Sequence, residues 1–270
     1  KVTYGELLKN IKLFGTALES IGIKERTHIA LIGENRVQWG LTYLTAMCYN
    51  LVIVPVDKNL PTNEILNIIH ESESEAVVFS DAYLYLIQEK RHSLKRVKHL
   101  ICMNRAVKSE NIYGMMDLIH QTESTQIKSF PQINTSEVCE IIFTSGSLGR
   151  AKGVMLSQGN LAENLMAMTK MVNIREEDRF LSVLPIHHTY ECTCGFLCPL
   201  FCGSTVYYAK SLKSVTDDLK ISRATILLGV PLLYEKMFKR IYKTIEENPV
   251  KRTIIPPLIK VTNLLKTAGW

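Results

Sequence analysis

The segment Ile141-Ile142-Phe143-Thr144-Ser145-Gly146-Ser147-Leu148-Gly149-Arg150-Ala151-Lys152-Gly153-Val154 carries an apolar run into a loop with three glycines, three hydroxyl residues and one lysine. A polyphosphate needs that combination. Glycines let the backbone approach closely and turn its N–H groups inward, hydroxyls add hydrogen bonds, and an ammonium neutralises charge. The spacing excludes a Walker A loop, in which Gly-Lys-Ser/Thr opens a helix; here Lys152 precedes Gly153 and a second apolar, strand-like stretch. It also fails the Rossmann fingerprint, whose glycine spacing differs. By composition alone, a glycine-rich hairpin without a ligand is the competing reading.

A second segment, Ser182-Val183-Leu184-Pro185-Ile186-His187-His188-Thr189-Tyr190-Glu191, delivers two adjacent histidines at the end of an apolar run. In an open α/β sheet that end is where ligands gather. Side chains alternate along an extended segment, so one histidine of the pair is expected to face the site. A histidine there could donate to a phosphate or carboxylate or move a proton; a structural pair with satisfied hydrogen bonds is the bland alternative. Cys192, Cys194, Cys198 and Cys202 lack a CxxC pair, and one helix face cannot wrap a tetrahedral zinc. Among Phe196, Leu197, Leu200 and Phe201 they read as small buried thiols, and no metal site is expected. No serine sits in a Gly-x-Ser-x-Gly elbow, which removes the footing for a hydrolase.

The elements that must carry these segments follow from periodicity. Leu7, Ile11, Phe14, Leu18 and Ile21 recur at helical steps and predict a helix over 4–21, closed by Gly22. Short apolar runs predict strands at 28–32, 51–56, 76–80 and 97–102, with helices at 36–48, 61–70 and 82–90 between them. Residues 104–136 are more polar and read as a connecting segment with one short helix at 115–120. The rhythm resumes with strands near 138–144, 178–184, 204–208 and 224–229, and helices near 157–172, 189–202, 211–220 and 231–247. The fold class is therefore α/β: layered, largely parallel β-sheets covered by helices. A first α/β subdomain is expected over 1–136, and a second α/β portion carrying the phosphate loop over 137–270.

Composition sets the outer limits. The 270 residues are 46% hydrophobic and 21% charged with a net charge of +6, which excludes a chain that is mainly disordered. Fourteen glycines without a period exclude a collagen-like structure. No apolar run is long enough to span a membrane, and the N-terminal residues open on a helical pattern instead of a signal peptide. Seven cysteines, an odd number in a chain that needs no staples, fit a reduced, cytoplasmic setting. The basic cluster Lys90, Arg91, Lys95, Arg96 and Lys98 has no interleaved aromatics for base stacking, so nucleic acid is not an expected partner. The basic amphipathic stretch 234–243 is compatible with a peripheral membrane contact or with plain core packing.

Together these segments resemble the adenylate-forming (AMP-binding) enzymes, and within them the long-chain fatty acyl-CoA synthetases. The family's signature has the form Phe/Tyr-Thr-Ser-Gly-Ser/Thr-Thr-Gly-x-Pro-Lys-Gly-Val, matched by Phe143 to Val154. Its Leu-Pro-x-His-His segment is matched by Leu184-Pro185-Ile186-His187-His188, and the continuation Thr189-Tyr190-Glu191 is similar to the long-chain branch. Softer matches are Thr3-Tyr4-Gly5-Glu6-Leu7 and Val54-Pro55-Val56-Asp57, so the resemblance covers essentially the whole chain. Two departures stand in the loop: Leu148 replaces a hydroxyl residue and Ala151 a proline. Loss of one neutral hydrogen bond costs about 1 kcal/mol, which predicts weakened ATP binding.

The resemblance implies ATP and Mg2+ as cofactors, and a fatty acid and coenzyme A as substrates. Thr144, Ser145, Gly146, Ser147, Gly149 and Lys152 would hold the phosphates. His188 would sit near the acyl carboxylate and α-phosphate, His187 being the less favoured of the pair, and Tyr190 would border the acyl channel. The adenine, ribose and catalytic lysine elements of the family lie further along than Ala268-Gly269-Trp270, so this chain is expected to be a first portion that does not complete the reaction alone. A carrier-protein acceptor and an inactive nucleotide-binding module are the alternatives.

Overall fold

The computed structural model describes residues 1–104, 112–144 and 152–267. In chain order the elements are α1 (Tyr4–Ser20), β1 (His28–Ile32), α2 (Val37–Cys48), β2 (Val52–Val56), α3 (Thr62–Glu71), β3 (Ala76–Phe79), α4 (Leu84–Glu89), β4 (His99–Cys102), β5 (Ile112–Gly114), α5 (Met115–Thr122), β6 (Val138–Thr144) and β7 (Lys152–Ser157). They continue with α6 (Gln158–Met171), β8 (Arg179–Ser182), a π-helix (Glu191–Leu197), α7 (Cys198–Phe201), β9 (Thr205–Tyr208), α8 (Val215–Ser222), β10 (Ile226–Leu227), α9 (Pro231–Glu246) and α10 (Pro249–Thr267). They fall into two compact units, Lys1–Leu228 and Gly229–Trp270.

The first unit is organised by a seven-stranded sheet in the order β5-β4-β3-β1-β2-β6-β7. Strands β1 to β6 pair in parallel, and β7 returns antiparallel along β6. Strands β1 to β4 are buried on both faces, which is why they read as unbroken apolar runs. On one face Ile29, Leu31, Ile53, Val78 and Ile101 pack against Ile11, Phe14, Trp39, Tyr43 and Met115 of the covering helices. On the other, Ala30, Ile32, Val54, Val77 and Phe79 pack against Ile65, Ile68, Ile69 and Ile87. Each such side chain contributes about 1.5–3 kcal/mol on burial. A smaller parallel sheet, β10-β8-β9, follows in the chain.

Three local features differ from the reading of the sequence. The connecting segment 104–136 contributes β5, which pairs with β4 at the sheet edge; three residues are too short a run to show a period. The sheet also runs across the expected 136/137 division, since β6 pairs with β2. The helix expected over 189–202 is a π-helix over its middle, Glu191–Leu197, and α-helical after it.

In the second unit α10 contains Pro256 and Pro257. Along α9, Leu233 and Ile245 are buried, whereas Leu232, Phe238 and Ile241 are exposed. Among the described residues no helix is long and apolar enough to cross a membrane.

Candidate functional site

The C-terminal ends of β1, β2 and β6 lie side by side, as the strand order requires. Ile53 of β2 pairs with Glu140 of β6. Counting four residues along both parallel strands brings Asp57 level with Thr144. Thr144 in turn pairs with Lys152 across the β6–β7 hairpin, and both are exposed. The hydroxyl and ammonium thus flank the same hairpin mouth. Gly153 follows because a Cβ there would lie 2.9 Å from Ile141 Cγ2 and 3.3 Å from the Phe143 ring. Ser145, Gly146, Ser147 and Gly149, together with Leu148 and Ala151, lie outside the described residues.

The histidine segment leaves β8 at Ser182 and is gripped by Asn35, just beyond β1. Asn35 Nδ2 donates to Ser182 Oγ (2.9 Å) and to the Leu184 carbonyl (2.7 Å), and Oδ1 accepts from the Ile186 N–H (3.1 Å). The next residue, His187, is 9% exposed, and its Nε2 stands 3.6 Å from Asp57 Oδ2. Burial pushes its pKa down to about 4, against the pull of Asp57 and helped by His188 and Lys58. The ring is therefore neutral at pH 7 and its approach to Asp57 is a polar contact. His188 is exposed, its ring centroid 4.4 Å from that of His187. Tyr190 is 47% exposed.

Beneath this edge lie two buried carboxyl groups. Glu140, on β6, accepts a hydrogen bond from Tyr43 Oη at 3.0 Å, while its Oε1 has no partner. Glu191, the first residue of the π-helix, is fully buried over Gly195 with neither oxygen in a hydrogen bond of good geometry. Burial raises both to about 7, opposed by Tyr43 at Glu140 and only partly by the Ser182 hydroxyl at Glu191. Burial likewise drives the Cys192 thiol well above its ordinary range, reinforced by Glu140. The π-helix is fastened to α2 by Phe196, whose ring sits edge-on to Trp39 (6.2 Å) and Tyr43 (6.1 Å).

The structure thus pairs Thr144 with Lys152 and His187 with His188, and Asp57 stands beside His187. Asn35, Glu140 and Glu191 did not emerge as site residues from the sequence. A signal existed for Glu140, a charge inside the apolar run Val138–Phe143; Asn35 had none beyond its place after a strand. Among the described residues no set of three His, Cys, Asp or Glu side chains could hold a metal ion.

The chain is 28% identical over 281 residues to the chloroplastic long-chain-fatty-acid–[acyl-carrier-protein] ligase AEE15 of Arabidopsis thaliana, covering 97% of this chain and 38% of that protein. It is 25% identical to the long-chain-fatty-acid–CoA ligase 6 of Homo sapiens, covering 94% of this chain and 39% of that one. The chain therefore spans about two fifths of the length of these relatives. Among solved structures, the anthranilate CoA ligase AuaEII in complex with anthranoyl-AMP superposes with a TM-score of 0.78 at 17% identity, covering 85% of this chain and 45% of that one. The profile of the AMP-binding enzymes matches residues 1–254, and the chain belongs to that family.

Proposed function

We propose that the chain supplies the phosphate-binding hairpin and the histidine segment of an ATP-dependent ligase that activates a long-chain fatty acid. The carboxylate oxygen attacks the α-phosphorus of ATP and the bond to pyrophosphate breaks, giving acyl-adenylate. A thiol then attacks the acyl carbon and AMP departs. Both reactants of the first step are anionic, so the work is charge neutralisation and positioning.

The observation that carries this reading is the pairing of Thr144 with Lys152 at the mouth of the signature hairpin, on the sheet edge that Asp57 shares with His187. Lys152 would neutralise the β- and γ-phosphates and the departing pyrophosphate, with Thr144, Ser145, Gly146, Ser147 and Gly149 donating around it. His188, exposed beside buried His187, would donate to the acyl carboxylate or α-phosphate, and Tyr190 would border the acyl chain. Thr144 and Lys152 are donors of the kind the phosphates of ATP require. Among the described residues no set of three His, Cys, Asp or Glu side chains could hold magnesium.

The test is ATP–pyrophosphate exchange by the full-length protein, offered long, medium and short fatty acids. Exchange restricted to long acids supports the reading; a folded protein that exchanges with none overturns it. Coenzyme A is the first acceptor proposed. The similarity to an acyl-carrier-protein ligase favours a second reading in which a carrier-protein thiol receives the acyl group. Supplying preformed acyl-adenylate with each thiol in turn separates the two.

A further inference from the structure

We propose that Asn35 is a positioning residue that sets the height and direction of the histidine pair, so that the end of β1 determines where His187 and His188 stand. For its activity arm this rests on the adenylation reading above.

The carboxamide of Asn35 has two N–H donors and one carbonyl oxygen, and all three functions reach the same short segment. Its partners, Ser182, Leu184 and Ile186, are alternate residues lying 147 to 151 positions further along the chain. Leu184 and Ile186 belong to no strand, so their carbonyl and N–H have no ladder to join. One side chain holds the backbone up to the turn closed by the His188 N–H and the Pro185 carbonyl at 3.0 Å, and His187 lies within that turn.

The base of that side chain is itself fixed. Four residues separate β1 from α2, and Arg36, beside Asn35, bonds Asn104 at 2.7 Å and Gln38 at 3.0 Å. Just downstream, Trp39 and Tyr43 grip Phe196, the far end of the π-helix. The stretch from Ser182 to Phe196 is thus anchored at both ends by residues 35–43. His187, His188, Thr189 and Tyr190 lie between the anchors. Asn35 does not touch either imidazole; it acts through the backbone that carries them.

Removing the carboxamide would leave the Leu184 carbonyl and the Ile186 N–H to seek water, and the segment would move to find it. Near-attack geometry tolerates little displacement, so the effect belongs in turnover more than in ATP binding. His187 owes its neutral ring to burial, and a shifted segment would admit water to it.

The test is Asn35→Ala in the full-length protein, read two ways. In ATP–pyrophosphate exchange kcat should fall about tenfold or more while KM for ATP stays within about threefold. In 15N-histidine NMR the His187 titration should move upward from about 4 toward the ordinary 6.5. A folded variant with kcat within about twofold of the parent and an unmoved titration overturns the proposal. Should Asn35→Ala not fold, Asn35→Asp keeps the acceptor for the Ile186 N–H and loses both donors. It must give the same loss of kcat, and parental kcat overturns the proposal. If the parent shows no exchange with any acid, the adenylation reading falls while the His187 titration still decides the role of Asn35.

Discussion

Tyr43 donates to Glu140 across 3.0 Å in the core, and that single bond is all the carboxyl receives. One end of it lies on the helix that grips the π-helix and the other on the strand that enters the phosphate hairpin. A carboxyl with one partner and 2% exposure favours its neutral form.

Glu140→Gln should therefore stabilise the fold above neutrality. The folded pKa is raised to about 7 from an ordinary 4.5, so the stabilising contribution of the neutral group is complete below pH 4.5 and lost as pH rises through 7. Glutamine keeps the shape and an acceptor for Tyr43 while removing the titration. The variant should match the parent near pH 4 and exceed it by roughly 3 kcal/mol at pH 8. Urea denaturation at the two pH values measures the difference; a gain that does not vary with pH would contradict a neutral, buried Glu140.

Lys152→Ala in the full-length protein should lower ATP–pyrophosphate exchange by about a hundredfold, the scale of losing a fixed charge in a preorganised site. The side chain is exposed, so stability should hardly change. Exchange within about twofold of the parent would remove Lys152 from the phosphate site.

His188→Ala should depress the first half-reaction by at least about tenfold and leave thiol transfer from preformed acyl-adenylate less affected. Stopped-flow measurement of each half-reaction distinguishes the two. A fully intact first step would release His188 from its place beside the carboxylate.

Gly40→Ala tests the grip of α2 on the π-helix. A Cβ at residue 40 would stand 2.8 Å from two atoms of the Phe196 ring and 3.3 Å from Tyr208 Oη. Phe196 is wedged against Trp39 and Tyr43 and has little room to retreat. The cost should be about 1–3 kcal/mol, visible as a lower Tm in a thermal scan. An unchanged Tm would mean the ring relocates freely.

Much of this protein is determined locally. The apolar runs at 28–32, 52–56 and 76–79 declare themselves as strands because a sheet covered on both faces leaves no polar alternation. The Thr3–Glu6 capping box and Gly22, at φ +95°, bound α1 where the helical stripe begins and ends. The glycine- and hydroxyl-rich run 144–153 and the histidine pair are legible as family signatures in the sequence, because both are contiguous in the chain. Tertiary structure alone decided that His187 would be the buried member of its pair, that Asp57 would stand beside it, and that Asn35 would hold the segment before it. Those relationships join residues more than a hundred positions apart. A single asparagine or aspartate at the end of a strand has the same local signature whether it faces water or a distant loop. Only the order β3-β1-β2-β6, which fixes which strand ends are neighbours, distinguishes the two.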